Sequence, residues 1–398
     1  MAGLSIAAPS RAVWRQPSLI WGGLSLVLIV AALTLTPVLF IIVNSLNAAP
    51  PSENWRFGFD GWREAFSSPR TLTAIGYTFL LNVRAVVGIV VAFVLSWLLT
   101  RVRIPLRNFV ELSLWIAYFL PSLPLALSWI LLLDPNYGLI NHLMQPIGMR
   151  FNIYSLLGIF WIHLTATTIP IMTILLAPVL RQLDASLEEA ARMCGAGSWQ
   201  TFRRVLIPLL GPALFTVFLA ALIRGLEAFQ VELLLGKPIG VFVYATRIYD
   251  LIQWEPPLFP QAMALSTLFL GILFLLALFY QRYTSTRAFA TVSGRGVSFR
   301  LMDIGRVRYA ISALLIIFVV ISVYLPLAVL IVGSLMKLFG FFTIKDPFST
   351  RHWSLVLGDP VFLSAVRNSI ALGVGTAGIG LFCYCLIGYA LVRTKIAG

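Results

Sequence analysis

The stretch LIWGGLSLVLIVAALTLTPVLFIIV, Leu19–Val43, carries no charge, and the uncharged run around it extends from Arg15 to Glu53. Coiled into a helix at about 1.5 Å per residue, such a run crosses the roughly 30 Å hydrocarbon core of a bilayer. It exceeds the roughly 7 to 15 apolar residues of a signal-peptide core, so it reads as a retained first span. Similar runs lie near residues 77–100, 109–133, 154–180, 209–228, 263–281, 309–333 and 369–392. With 19–44 as the first, they predict an all-α polytopic transmembrane helical bundle of about eight spans. A composition that is 59% apolar and 11% charged fits that class.

The net charge of +14 would suggest nucleic acid in a soluble chain. Here the placement of the charges decides. With the N-terminus cytoplasmic, the inner segments hold the larger share of the 29 Lys and Arg, against only Asp184, Glu188, Glu189 and Asp303. The outer loops are nearly balanced, and Arg84 and Arg224 fall within spans. The basic excess is therefore topological, and the expected partner is membrane lipid, not nucleic acid. Cys194, Cys383 and Cys385 form no disulfide framework or metal cluster. His142, His163 and His352 show no ligand spacing and read as ordinary loop or packing histidines.

From about residue 309 onward the chain repeats the landmarks of its first hundred residues. Pro37 and Ser45 recur as Pro326 and Ser334, Trp62 and Pro69 as Trp353 and Pro360, Thr78 as Ser369 and Arg101 as Arg393. This divides the chain into a first repeat (1–281), an Arg-rich cytoplasmic linker (282–308) and the start of a second repeat (309–398). The second copy stops at Gly398 where the first continues. The expectation is two tandem repeats with the second incomplete, either a fragment of a longer chain or a naturally short variant pairing with another subunit.

Between the fourth and fifth runs lies a polar segment, 184–208. Ser186 with Glu189 forms a capping box, Ala190 and Ala191 favour helix, and Gly195 supplies a left-handed stop. Ser198 can cap a second short helix, with Pro208 marking its break before the next span. On physics alone this is an amphipathic helical hairpin. Its spacing, however, is Glu189-Ala190-Ala191, three residues, Gly195, then Val205, Ile207 and Pro208. That resembles the EAA loop of ABC importer permeases, with Val205 and Ile207 as conservative replacements. The resemblance implies a coupling helix seated on a cytoplasmic ATP-binding subunit dimer and a periplasmic or extracellular substrate-binding protein as second partner. It also implies a multi-pass protein of the bacterial inner membrane. The chain has no G-x-x-x-x-G-K-[ST] loop, since Gly236-Lys237 is followed by Pro238. ATP and its Mg are expected on the partner, with no cofactor, metal or catalytic site in this chain.

The segment Leu226-Glu227-Ala-Phe229 through Leu235-Gly236-Lys-Pro238 to Val241…Thr246-Arg-Ile-Tyr249 resembles the ferric-iron branch of these permeases, except that Glu232 stands where that branch usually has Pro. Ferric iron is the leading substrate expectation. Polyamine, aminoethylphosphonate and thiamine importers share much of the pattern, and a secondary ion-coupled transporter is the rival class. Candidate path residues are Glu227, which is costly near the end of a span unless paired or wet, and Arg224, three residues earlier on the same face. The bland reading makes them an intrahelical pair. Arg84 is expected to snorkel to the outer surface rather than gate. Pro121 and Pro124 interrupt the third span, as either a path-lining break or a packing kink.

Overall fold

The structure, a computed structural model, describes residues 17–49, 53–183, 190–191, 193–286, 301–342 and 344–393. In chain order the helices that matter are α1 (Pro17–Ser45), α2 (Asp60–Ser67), α3 (Pro69–Asn82), α4 (Arg84–Arg101), α5 (Arg107–Phe119) and α6 (Ser122–Leu133). They continue as α7 (Leu156–His163), α8 (Ile169–Gln182), α9 (Ile207–Leu226), α10 (Tyr244–Ile252) and α11 (Phe259–Thr286). The last are α12 (Val307–Val319), α13 (Leu325–Ser334), α14 (Arg351–Gly358) and α15 (Pro360–Arg393). Every apolar run is helical because hydrocarbon offers the backbone no water, so each span must satisfy its own N–H and C=O groups. Non-helical pairing among the described residues amounts to three isolated β-bridges.

Among the described residues, seven helical stretches are long and apolar enough to cross a membrane. The eighth expected span is not one straight helix: α5 and α6 meet at 106°. Leu120 and Pro121 are both extended there (ψ 128° and 138°), because the residue before a proline is pushed out of the helical region. The second span is longer than expected, running from Pro69 to Arg101 through α3 and α4.

Four π-helical turns, Leu164–Thr168, Phe202–Leu206, Glu232–Gly236 and Val320–Tyr324, share one cause. Each ends two residues before a proline: Pro170, Pro208, Pro238 and Pro326. Proline lacks an N–H and its ring collides with the carbonyl four residues back, so the preceding turn widens. Where the bond is resolved, the residue before the proline donates five residues back, as from Ile169 to Leu164 and from Leu325 to Val320. Pro208 therefore does not break the helix as expected. The π turn absorbs it, and one helical span runs from Arg203 to Leu226.

Residues 45–350 form one compact unit, and residues 1–44 with 351–398 a second. The first unit thus starts after the first span and takes in α12 and α13, beyond the 282–308 segment. Within it, the stretch following Ser45 pairs Ala48 N–H to Arg56 O (2.8 Å) and Gly58 N–H to Leu46 O (2.9 Å). The stretch following Ser334 pairs Lys337 N–H to Pro347 O (2.8 Å) and Ser349 N–H to Leu335 O (2.7 Å). The same bridge geometry thus recurs after each of these two spans.

In lipid, helices gain little from hiding apolar surface, so close packing and polar contacts hold them together. α4 lies on α8 through Gly88, where a Cβ would collide with the Thr168 methyl, and through Ser96 Oγ donating to Thr173 O at 3.1 Å. α12 and α13 are held on α5 and α6 in the same way. Ser312 Oγ donates to Pro105 O at 2.7 Å, Ser113 and Tyr324 share a hydroxyl pair at 3.1 Å, and Tyr324 stacks on Phe109. Gly88→Val should therefore lower stability by about 1–3 kcal/mol through overpacking, read as a lower unfolding midpoint of the purified protein. An unchanged midpoint would mean that α4 and α8 pack less tightly than this.

Candidate functional site

Three helix junctions meet in the first unit: the start of α4, the end of α7, and the segment after α9. Each delivers one ionisable side chain. Arg84 opens α4 and is 4% exposed; its Nη1 donates to Leu81 O (3.1 Å) and its Nη2 to Gly225 O (3.3 Å). Glu232, in the π turn after α9, is wholly buried. Its Oε1 lies 2.7 Å from His163 Nε2, at the end of α7, and 3.9 Å from Arg84 Nη1. The expected snorkelling of Arg84 is thus corrected: its guanidinium turns inward because a buried carboxylate and two helix-end carbonyls meet it there. His163 is likewise no ordinary packing histidine.

The second carboxylate oxygen, Glu232 Oε2, has no hydrogen-bond partner among the described residues, nor does the buried Asn82 amide. Asn82 packs so closely on Gly225 that a Cβ at residue 225 would overlap its carbonyl oxygen. Residue 225 must therefore be glycine for Asn82 to keep this position beside Arg84.

Against this cluster lies a cavity of about 830 Å³. Arg84, Ser122, His163, Arg224, Glu227 and Gln230 are among the polar residues that line it. Arg224 and Glu227 are both exposed at the end of α9, and the expected intrahelical pair is not formed: no ion pair joins them among the described residues. Pro121 sits in the break between α5 and α6 and Pro124 in the first turn of α6. That break brings Ser122 Oγ into a hydrogen bond with Gln230 Oε1. Neither Ser122, Gln230 nor Glu232 stands out in the sequence by a motif. The one signal was a carboxylate in the aliphatic run Val231–Leu235, because an ionisable group among lipid-facing lengths is costly unless it has partners.

At the other candidate segment, Glu189 and the rest of 184–189 lie outside the described residues, and so does the Ser186 capping box. Ala190 is exposed and Ala191 half-buried. Gly195 adopts φ +80°, with Cys194 N–H donating to Ala190 O and Ala196 N–H to Ala191 O, both at 3.0 Å. This is the glycine stop expected from the sequence. The next short helix, Ser198–Thr201, takes its first bond from Thr201 N–H to Gly197 O (2.9 Å). Val205 and Ile207 are half-buried, and Pro208 is exposed at the start of α9.

Residues 85–289 match the family described as binding-protein-dependent transport system inner membrane component. The chain belongs to that family. It is thus an ABC importer permease, a multi-pass inner-membrane protein whose family comprises transporter subunits rather than enzymes. The permease is 28% identical over 201 residues to the probable sulfate transport system permease protein cysT of Chlorella vulgaris, covering 49% of this chain and 74% of that one. It is 27% identical over 214 residues to the sulfate transport system permease protein CysT of Escherichia coli, covering 54% and 76%. A putative ferric transport system permease protein, FbpB 1 of Haemophilus influenzae, is 28% identical over 240 residues, with 58% of this chain and 36% of that relative covered. The permease thus spans about a third of that relative's length. The fold is similar to the crystal structure of a bacterial alginate ABC transporter in complex with an alginate pentasaccharide-bound periplasmic protein (TM-score 0.55, 18% identity, covering 68% of this chain and 94% of that one).

Proposed function

We propose that this permease imports a small inorganic solute, with residues 184–208 passing on the closure of a cytoplasmic ATP-binding subunit dimer that holds the ATP and Mg. A binding protein on the other side of the membrane delivers the solute, and the N-terminus is cytoplasmic. The observation that carries this reading is the placement of Ala190, Ala191 and Gly195. The segment that holds them joins two helical spans, Leu156–Gln182 and Arg203–Leu226, and exposes Ala190 beside a glycine turn at Gly195. Small side chains there admit close approach of a partner. The recurring bridge after α1 and α13 supports the division into two repeats at 282–308.

Ferric iron is one reading of the solute, supported by the Leu226–Tyr249 pattern and the FbpB relative. Sulfate is the other, supported by CysT relatives of which this chain covers about three quarters. The test of the transport reading is solute uptake by vesicles containing the permease, its ATP-binding subunit and its binding protein. Uptake should require ATP and stop when the ATP-binding subunit is omitted. Uptake driven by an ion gradient alone would overturn the reading in favour of a secondary transporter.

A further inference from the structure

We propose that Arg101 is a positioning residue for transport: its guanidinium ties the entrance of the 184–208 segment to the end of α4, and its backbone carries that tie on to α12. The inference rests on the importer reading and adds the route by which movement of that segment reaches the spans of both expected repeats.

Arg101 is the last residue of α4 and is 6% exposed. An arginine at a helix end commonly keeps its guanidinium in water. Arg101 Nη2 instead crosses to Leu183 O, 82 residues away in the chain, and donates to it at 2.8 Å. Leu183 directly follows α8 and is the last described residue before 184–189. Carbonyls at a helix end lack partners within their helix, and the dipole favours a cation there. Both ends of the segment also rest on α4. Leu180 before it and Leu206 and Leu210 after it form one buried apolar cluster, against which Phe93 and Trp97 pack.

The backbone at Arg101 holds the residues that lead into α12. Met302 N–H donates to Arg101 O at 2.8 Å and Arg103 N–H to Met302 O at 3.0 Å, so Val102 and Met302 form a parallel bridge. A shared core backs the bridge: Leu99, the wholly buried Val102 and Ile104 pack with Leu315 and Val319 of α12. Coupling between distant sites travels through packed side chains and hydrogen bonds that shift together. Arg101 stands where two such connections cross, one through its side chain and one through its main chain.

The test is hydrogen exchange, read by mass spectrometry, on the permease assembled with its ATP-binding subunit in nanodiscs, with and without ATP. In the unsubstituted chain ATP should change exchange at 184–208, 97–103 and 301–306 together. Arg101→Gln should keep the change at 184–208 and reduce it severalfold at 97–103 and 301–306. Met302→Pro removes one bridge donor and leaves Arg101 in place. It should keep the change at 97–103 and lose that at 301–306, and it stands in if Arg101→Gln inserts poorly. The proposal is overturned if ATP changes only 184–208 in the unsubstituted chain, or if either variant passes the change on undiminished. Faster exchange in all three stretches of Arg101→Gln with or without ATP would also overturn it, since that is the mark of a merely structural residue. No change at 184–208 in the unsubstituted chain would sink the coupling reading itself, and this proposal with it.

Discussion

Glu232→Ala should destabilise the permease by about 3–5 kcal/mol, because it leaves Arg84 buried with its anionic partner among the described residues removed. The guanidinium would keep the carbonyls of Leu81 and Gly225 and would lose the charge that offsets its desolvation. Arg84→Ala should cost a similar amount, leaving Glu232 to His163 alone. Replacing both, as in Arg84→Met with Glu232→Met, should recover most of the loss, since a buried pair swapped for apolar groups of similar size is often neutral. The measurement is the unfolding midpoint in detergent together with the amount of inserted protein. Equal loss in the double variant and in each single variant would show that the cluster is held by packing rather than by the charge pair.

Glu189→Arg should abolish ATP-driven uptake while leaving the permease inserted, and so should Gly195→Val. Reversing a charge at the proposed partner contact should remove roughly 3 kcal/mol of a charge-assisted interaction, about a hundredfold in coupling. At Gly195 the cause is backbone geometry. Its φ of +80° is adopted readily by glycine, whereas a β-branched residue there is strained by about 1–2 kcal/mol. The bonds from Cys194 and Ala196 back to Ala190 and Ala191 depend on that turn, so its loss would re-aim both alanines. Uptake in reconstituted vesicles, compared with the amount of inserted protein, separates lost coupling from lost insertion. Normal uptake by both variants would remove residues 184–208 from the coupling role.

Most of the architecture was legible along the chain because hydrocarbon imposes a local rule. A long uncharged run must be helical to satisfy its own backbone, so Leu19–Val43 and the later runs declare their spans without reference to neighbours. The glycine stop at Gly195 was equally local. Pro121 announced a break, though its 106° angle follows from how α6 packs with α7 and α13, not from the proline alone. Pro208 was misread as a break because the local rule forbids a continued α-helix, while widening to a π turn lets the helix pass.

The candidate site was much less legible. Arg84, His163 and Glu232 are distant in sequence, and no spacing links them; Arg84 taken alone reads as a residue that reaches for water. The spans, the Glu-Ala-Ala segment and the membrane class are written along the chain, since these depend on composition and on neighbours within a few residues. The meeting of three buried ionisable groups beside a cavity lined by Arg224 and Glu227 comes from the packing of distant helices. An isolated charge in lipid is prohibitively costly, and what makes it tolerable is a partner brought from another helix by folding.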